Sequence, residues 1–324
     1  MELIQEFLDI MKEIYTDNNE EYFKFFISWI RWLIVKPHIK TKVFVFLFSK
    51  QGYGKSTITS FLTNYIFGEN HSLTTSGLDS VTGKFNSLLA GKVVVNVEEL
   101  PSTQEQFHNQ FDKMKHLISG NTINIEPKGK EHYEIRNYSN FIGCGNNRHA
   151  LKITSDDERY FVIELKHKKD KSFWKSFYDK FMNQNFGNMF YNYMMTTDDD
   201  DYIEFYSRPD IPMTELKEQI IELGVTPFEC FLREIENKEY KLENVYEVMT
   251  KTKYAIKRKD LFNQFCIWSS ANNHPKPLLK HCNLPESRTK TDRYVNLIER
   301  FPEFSDDMIQ QKPDYMSSPI SQSS

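Results

Sequence analysis

Four short apolar runs punctuate the chain between residues 42 and 165: "KVFVFLF" (42–48), "KVVVNV" (92–97), "NFIGCGN" (140–146) and "RYFVIEL" (159–165). In each, neighbouring positions are apolar, where a half-exposed strand would alternate. Such strands must be covered on both faces, and the architecture that does so is a parallel sheet with helices on either side. Residues 41–195 are therefore expected to form an α/β core. Ahead of it, residues 1–40 read as two helices, with Leu3, Phe7, Ile10, Met11 and Ile14 at helical spacing and a stop near Pro37. Residues 196–226 hold the acidic run Asp198–Asp201 and read as a linker; residues 227–304 read as a small, mostly helical or winged-helix-like domain. The Ser/Pro-rich end, 305–324, is expected to be disordered.

The net charge of -4 over 324 residues excludes a uniformly basic nucleic-acid coat and leaves room for a local basic surface. The four cysteines, Cys144, Cys230, Cys266 and Cys282, form no C-x-x-C pair, which argues against a zinc ribbon or a disulfide framework and for an intracellular, reducing compartment. The most membrane-like stretch, "FFISWIRWLIV", is shorter than the ~20 residues a span requires and contains Arg31, so no membrane partner is expected. No secretory signal opens the chain.

The first apolar run leads into "SKQGYGKS" (49–56), followed by the helically spaced "STITSFLTNYIF". A strand, a glycine-bearing turn and a helix start in that order suit a phosphate. Glycines at 52 and 54 let backbone N–H groups approach an anion, the helix N-terminus favours negative charge, and Lys55 can reach the outer phosphates. Gly52, Tyr53, Gly54, Lys55, Ser56 and Thr57 are the expected nucleotide contacts, with Ser56 a magnesium ligand. An ordinary tight turn is the plain alternative. The second run ends in Glu98-Glu99; adjacent carboxylates at a buried strand's end are costly unless a cation or proton compensates them. Glu98 is assigned to magnesium and Glu99 to an attacking water. Asn146, after the third run, can bond a terminal phosphate. Arg159, before the fourth, can serve a neighbouring subunit's phosphate or belong to a surface ion-pair network. Between the second and third runs, "NTINIEPKGKEHYEIRN" alternates on both sides of a basic tip and predicts a hairpin.

The order of these motifs, with "FNSLLAGKVVVNVEEL", "LISGNTINIEPKGKEHYEI", "FIGCGNN" and "DDERYFVIEL", resembles superfamily 3 helicases of the AAA+ class, in particular the helicase half of poxvirus- and phage-type primase-helicases. The resemblance implies an AAA+-like P-loop core with ATP and Mg2+ as cofactors. It makes Lys55, Glu98, Glu99, Asn146 and Arg159 catalytic, and it places Lys128, Lys130 and His132 on single-stranded DNA in the pore of a hexameric ring. It also implies a separate primase or origin-binding protein and a polymerase as partners. Ser49 stands where that family has its first glycine, and Glu98 where aspartate is commoner. The expected function is thus an ATP-dependent DNA helicase in the replication of a virus, phage or mobile element. The alternatives are a nucleotide-binding replication scaffold, which those two departures motivate, and an RNA-directed motor. On this reading Ser49→Gly preserves or raises turnover.

Overall fold

The computed structural model describes residues 1–83, 86–99, 104–127, 131–146, 153–154, 157–224, 227–247, 254–272, 287–288, 293–297, 301, 303, 305 and 308–310. The chain divides into two compact units, Met1–Gly224 and Val225–Ser324.

The larger unit opens with α1 (Glu2–Thr16) and α2 (Glu20–Val35). The apolar stripe of α1 buries Ile4, Phe7, Leu8, Met11 and Ile14. Asp17 ends the helix in the left-handed conformation, φ 52°, and the Asn19 side chain caps α2 by accepting from the Tyr22 N–H. Pro37 follows α2 by two residues, as expected of a residue that cannot continue a helix. Arg31 in the middle of α2 is buried. It donates to the carbonyls of Met194 (3.1 Å) and Thr197 (2.7 Å) and lies 4.5 Å from the centre of the Tyr202 ring. The charge that argued against a membrane span thus fastens α2 to the end of a later helix. No helix among the described residues is long and apolar enough to cross a membrane.

From β1 (Phe44–Phe48) the chain runs through α3 (Lys55–Phe61), α4 (Gly68–His71), β2 (Ser72–Thr75), α5 (Asp79–Thr82), β3 (Val94–Val97), α6 (Gln104–Ser119), β4 (Thr122–Ile125), β5 (Tyr133–Arg136), β6 (Asn140–Gly145) and β7 (Tyr160–Glu164). Five of these strands form one parallel sheet in the order β2-β3-β6-β1-β7. Every residue of β1 is buried. Phe44, Phe46 and Phe48 face one core, and Val45 and Leu47 face the other, as a sheet covered on both sides requires. Strands β4 and β5 pair antiparallel outside that sheet, as the alternating sequence predicts.

Helices α7 (Lys171–Phe181), α8 (Gln184–Thr196) and α9 (Glu215–Gly224) complete the unit. The ring of Phe7 lies 5.0–5.9 Å from those of Phe61, Phe177, Phe181, Phe186 and Phe190, so α1, α3, α7 and α8 share one aromatic cluster. Residues 202–220, which the acidic run suggested as a linker, bury Phe205, Leu216 and Ile220 in the cores of this unit.

The smaller unit contains α10 (Pro227–Glu236), β8 (Val245–Glu247), β9 (Tyr254–Lys257), α11 (Arg258–Ala271), β10 (Ser287–Arg288) and β11 (Arg293–Asn296). Expected as mostly helical or winged-helix-like, it combines its helices with an antiparallel sheet of order β10-β11-β9-β8. The basic stretch "KTKYAIKRK" is the reason: its short apolar centre, Tyr254-Ala255-Ile256, is buried in β9, and α11 begins only at Arg258.

Candidate phosphate-binding site

Because β1, β3 and β6 run in the same direction, their C-terminal ends come out together. The register pairs Phe48 with Gly145 and Val97 with Gly143. The residues that follow these strands therefore meet at one edge of the sheet, the place where open α/β sheets hold ligands. They are the loop of residues 49–54, Glu98-Glu99, and Asn146, and together they border a cleft of about 500 Å³.

The loop is shaped by two glycines in the left-handed region, Gly52 at φ 86° and Gly54 at φ 92°. Gly54 immediately precedes α3, and Lys55 and Ser56, whose N–H groups have no earlier turn of the helix to pair with, border the cleft. Lys55 Nζ donates to Ser49 O (2.8 Å), Ser49 Oγ (2.8 Å), Lys50 O (3.1 Å) and Asn146 Oδ1 (2.8 Å). Partial burial lowers the pKa of Lys55, and the nearby Cys144 thiol acts in the opposite sense. Burial pushes that thiol up to about 12, which leaves Cys144 a neutral packing group beneath the cleft. Glu98 and Glu99 are exposed and border the cleft, as does Ser56.

Three contributors to the site were not named from sequence. Tyr15, buried on α1, donates its O–H to Gly54 O at 2.8 Å. Trp174 on α7 packs so closely on Gly54 that a Cβ there would stand 2.2 Å from the indole Cη2. Tyr178, four residues further along α7, brings its hydroxyl within 3.4 Å of Thr57 Oγ1. The stretch "SFWKSFYDKF" held a signal: Phe177 and Phe181 are buried, whereas Trp174 and Tyr178 form a second aromatic pair that remains partly outside the core.

Arg159 and His132 are elsewhere. Arg159 precedes β7, whose Tyr160 pairs with Phe44 at the start of β1. It therefore lies at the opposite end of the sheet from the loop, about 17 Å away along a five-residue strand. Its guanidinium is engaged within the chain, by Asp157 Oδ1 and Ser119 Oγ, both at 3.1 Å. His132 is exposed just ahead of β5; Lys128 and Lys130 lie outside the described residues.

The residues present fit a triphosphate with magnesium. The loop supplies backbone donors and one ammonium, Ser56 and the two carboxylates supply hard oxygen ligands, and the volume lies in the range of nucleotide-sized pockets.

Residues 47–160 match a family of unknown function (DUF5906). The DNA primase-polymerase of Nitratiruptor phage NrS-1 is 27% identical over 178 residues, which are 53% of this chain and 24% of the relative, so the match spans about a quarter of that protein. Two solved apo structures of the NrS-1 C-terminal region superpose with TM-scores of 0.66 and 0.63 at 17% and 18% identity, each covering 91% of this chain and 75% of the other. That likeness shows a shared fold. These comparisons overturn the expectation of an ATP-driven, ring-forming DNA helicase, because the similarity is to a DNA primase-polymerase. The helicase reading rested on a motif order, and that order does not specify the use made of the residues it brings together. With the ring goes the reason for placing Arg159 on a neighbour's phosphate.

Proposed function

We propose that this chain is the nucleotide-binding part of a phage-type enzyme of DNA synthesis, holding a nucleoside triphosphate with magnesium at the cleft above β1, β3 and β6. The observation that carries the reading is the Lys55 ammonium, bonded at once to the loop and to Asn146, in a cleft of nucleotide size that Glu98 and Glu99 also border. The similarity to a DNA primase-polymerase supports the assignment to DNA synthesis.

Each residue has a definite part in this reading. The N–H groups after Gly54 and the Lys55 ammonium bind the phosphate oxygens, Lys55 exchanging some of its present carbonyl partners for them. Ser56 and Glu98 would hold magnesium, which would supply charge neutralisation when bound. Glu99 would orient a water, and Asn146 Nδ2 can donate to a terminal phosphate while its Oδ1 stays on Lys55. Tyr15 holds the Gly54 carbonyl and, with it, the loop's turn.

Calorimetric titration of ATP with magnesium into the wild type and Lys55→Ala tests the site. Charge-assisted hydrogen bonds of this kind contribute about 1.5–3 kcal/mol, so the variant is expected to bind about 10- to 100-fold more weakly. Equal affinity in both proteins would remove the loop from the nucleotide.

A further inference from the structure

The cleft is bordered by two chemically different sets of residues: Glu98, Glu99 and Asn146, which follow β3 and β6, and the aromatic pair Trp174 and Tyr178 of α7. The contacts give it a direction. Lys55, which faces the outer phosphates, is bonded to Asn146 and so marks the acidic set as theirs. Trp174 packs on Gly54 and Tyr178 reaches Thr57, so the aromatic pair lies over the first turn of α3, where the inner phosphate and the nucleoside are left to go.

We infer that Trp174 and Tyr178 form the nucleoside subsite of this cleft, with the indole as a stacking platform for the base; the inference rests on the triphosphate reading above. Trp174 is held for that task. Phe173 and Phe177 meet it edge-on, at 5.3 Å and 83° and at 5.7 Å and 71°, while Gly54 supports its rim. These contacts fix the plane of the ring and leave it half-buried. Tyr178 is 48% exposed and borders the same cleft. A base laid on Trp174 would cover both rings. Stacking uses the π-face, which every base has, and does not read the hydrogen-bonding edge. The ligand class is therefore nucleoside triphosphates of any base, as synthesis on a mixed template demands.

The discriminating probes are ATP, CTP and inorganic tripolyphosphate, each titrated with magnesium. Wild type is expected to bind ATP and CTP within about tenfold of each other. In Trp174→Ala, affinity for both nucleotides should fall by about tenfold or more, from the usual size of base–aromatic stacking, while affinity for tripolyphosphate is unchanged. Trp174→Phe, which keeps a ring on Gly54, should retain most of the nucleotide affinity. Equal loss of nucleotide and tripolyphosphate affinity in Trp174→Ala would make Trp174 a support of the loop and overturn the subsite, as would no loss of either. A hundredfold preference between ATP and CTP would overturn base tolerance. Failure of the underlying reading looks different: Lys55→Ala would then leave tripolyphosphate binding at the wild-type level.

Discussion

Lys55 is held at its ammonium by four oxygens, and one of them changes the meaning of an odd residue in the loop. Ser49 looked like a substitute for glycine whose removal would be harmless or helpful. Its hydroxyl accepts from Lys55 at 2.8 Å, so Ser49→Gly takes a partner from the cation and is expected to lower nucleotide affinity. The ammonium also gives binding a pH dependence. Burial lowers the Lys55 pKa below its ordinary value of 10.5, and a polyanion is bound by the protonated form. Affinity should therefore decline at alkaline pH earlier than an ordinary lysine would allow, and Lys55→Arg should flatten the decline because arginine stays charged. Titrations between neutral pH and pH 10 check this; a decline of the same shape in both proteins would exclude Lys55 as its source. That the loop before Lys55, Glu98-Glu99 and Asn146 meet at one cleft was legible in the sequence, because each follows an apolar strand and parallel strands bring their ends together. Tyr15 and Trp174 were not, because they reach Gly54 from 39 residues before it and 120 after it, through packing that no local pattern records.

At the scale of elements, the strands were legible and their surroundings less so. Continuous apolar runs gave the covered sheet, and alternation gave the β4–β5 pair. The segment 202–220 was obscured by the acidic residues ahead of it, although its own Phe205, Leu216 and Ile220 pack inward. The end of α6 shows how a single polar residue secures an element. Its last carbonyls, those of Leu117 and Gly120, accept from Lys40 Nζ and also from Asn137 Nδ2, at 2.9 and 3.2 Å for the latter. Burial first, and the nearby charge of Lys42 second, bring the Lys40 pKa down to about 7. A neutral amine still donates to carbonyls, so the bond survives while the cost of a buried charge is avoided. Between about pH 7 and the ordinary lysine value the unfolded chain holds a proton that the folded chain has released. Stability must therefore rise with pH across that window and be flat in this term below it, with a slope of at most about 1.4 kcal/mol per pH unit. Urea unfolding of wild type and Lys40→Met at pH 6, 7.5 and 9 isolates the effect. The difference, wild type minus variant, should grow with pH; a difference that stays flat from pH 6 to 9 would mean Lys40 is charged in the fold.

For the molecule as a whole, the sheet order and the cleft follow from the chain's own residues, whereas the use made of the cleft does not. A glycine-turned loop, a lysine and paired carboxylates can serve a motor or a synthetic enzyme alike, and similarity to a phage DNA primase-polymerase favours the second. The relative is several times longer than the matched stretch, which covers 24% of it. The central claim is that DNA synthesis depends on a nucleoside triphosphate held at Gly52–Ser56. Its most direct test is incorporation of labelled deoxynucleotides on a single-stranded template by the protein, with and without Lys55→Ala. A product made by the wild type and reduced at least tenfold in the variant is the predicted result; equal product from both would contradict the account.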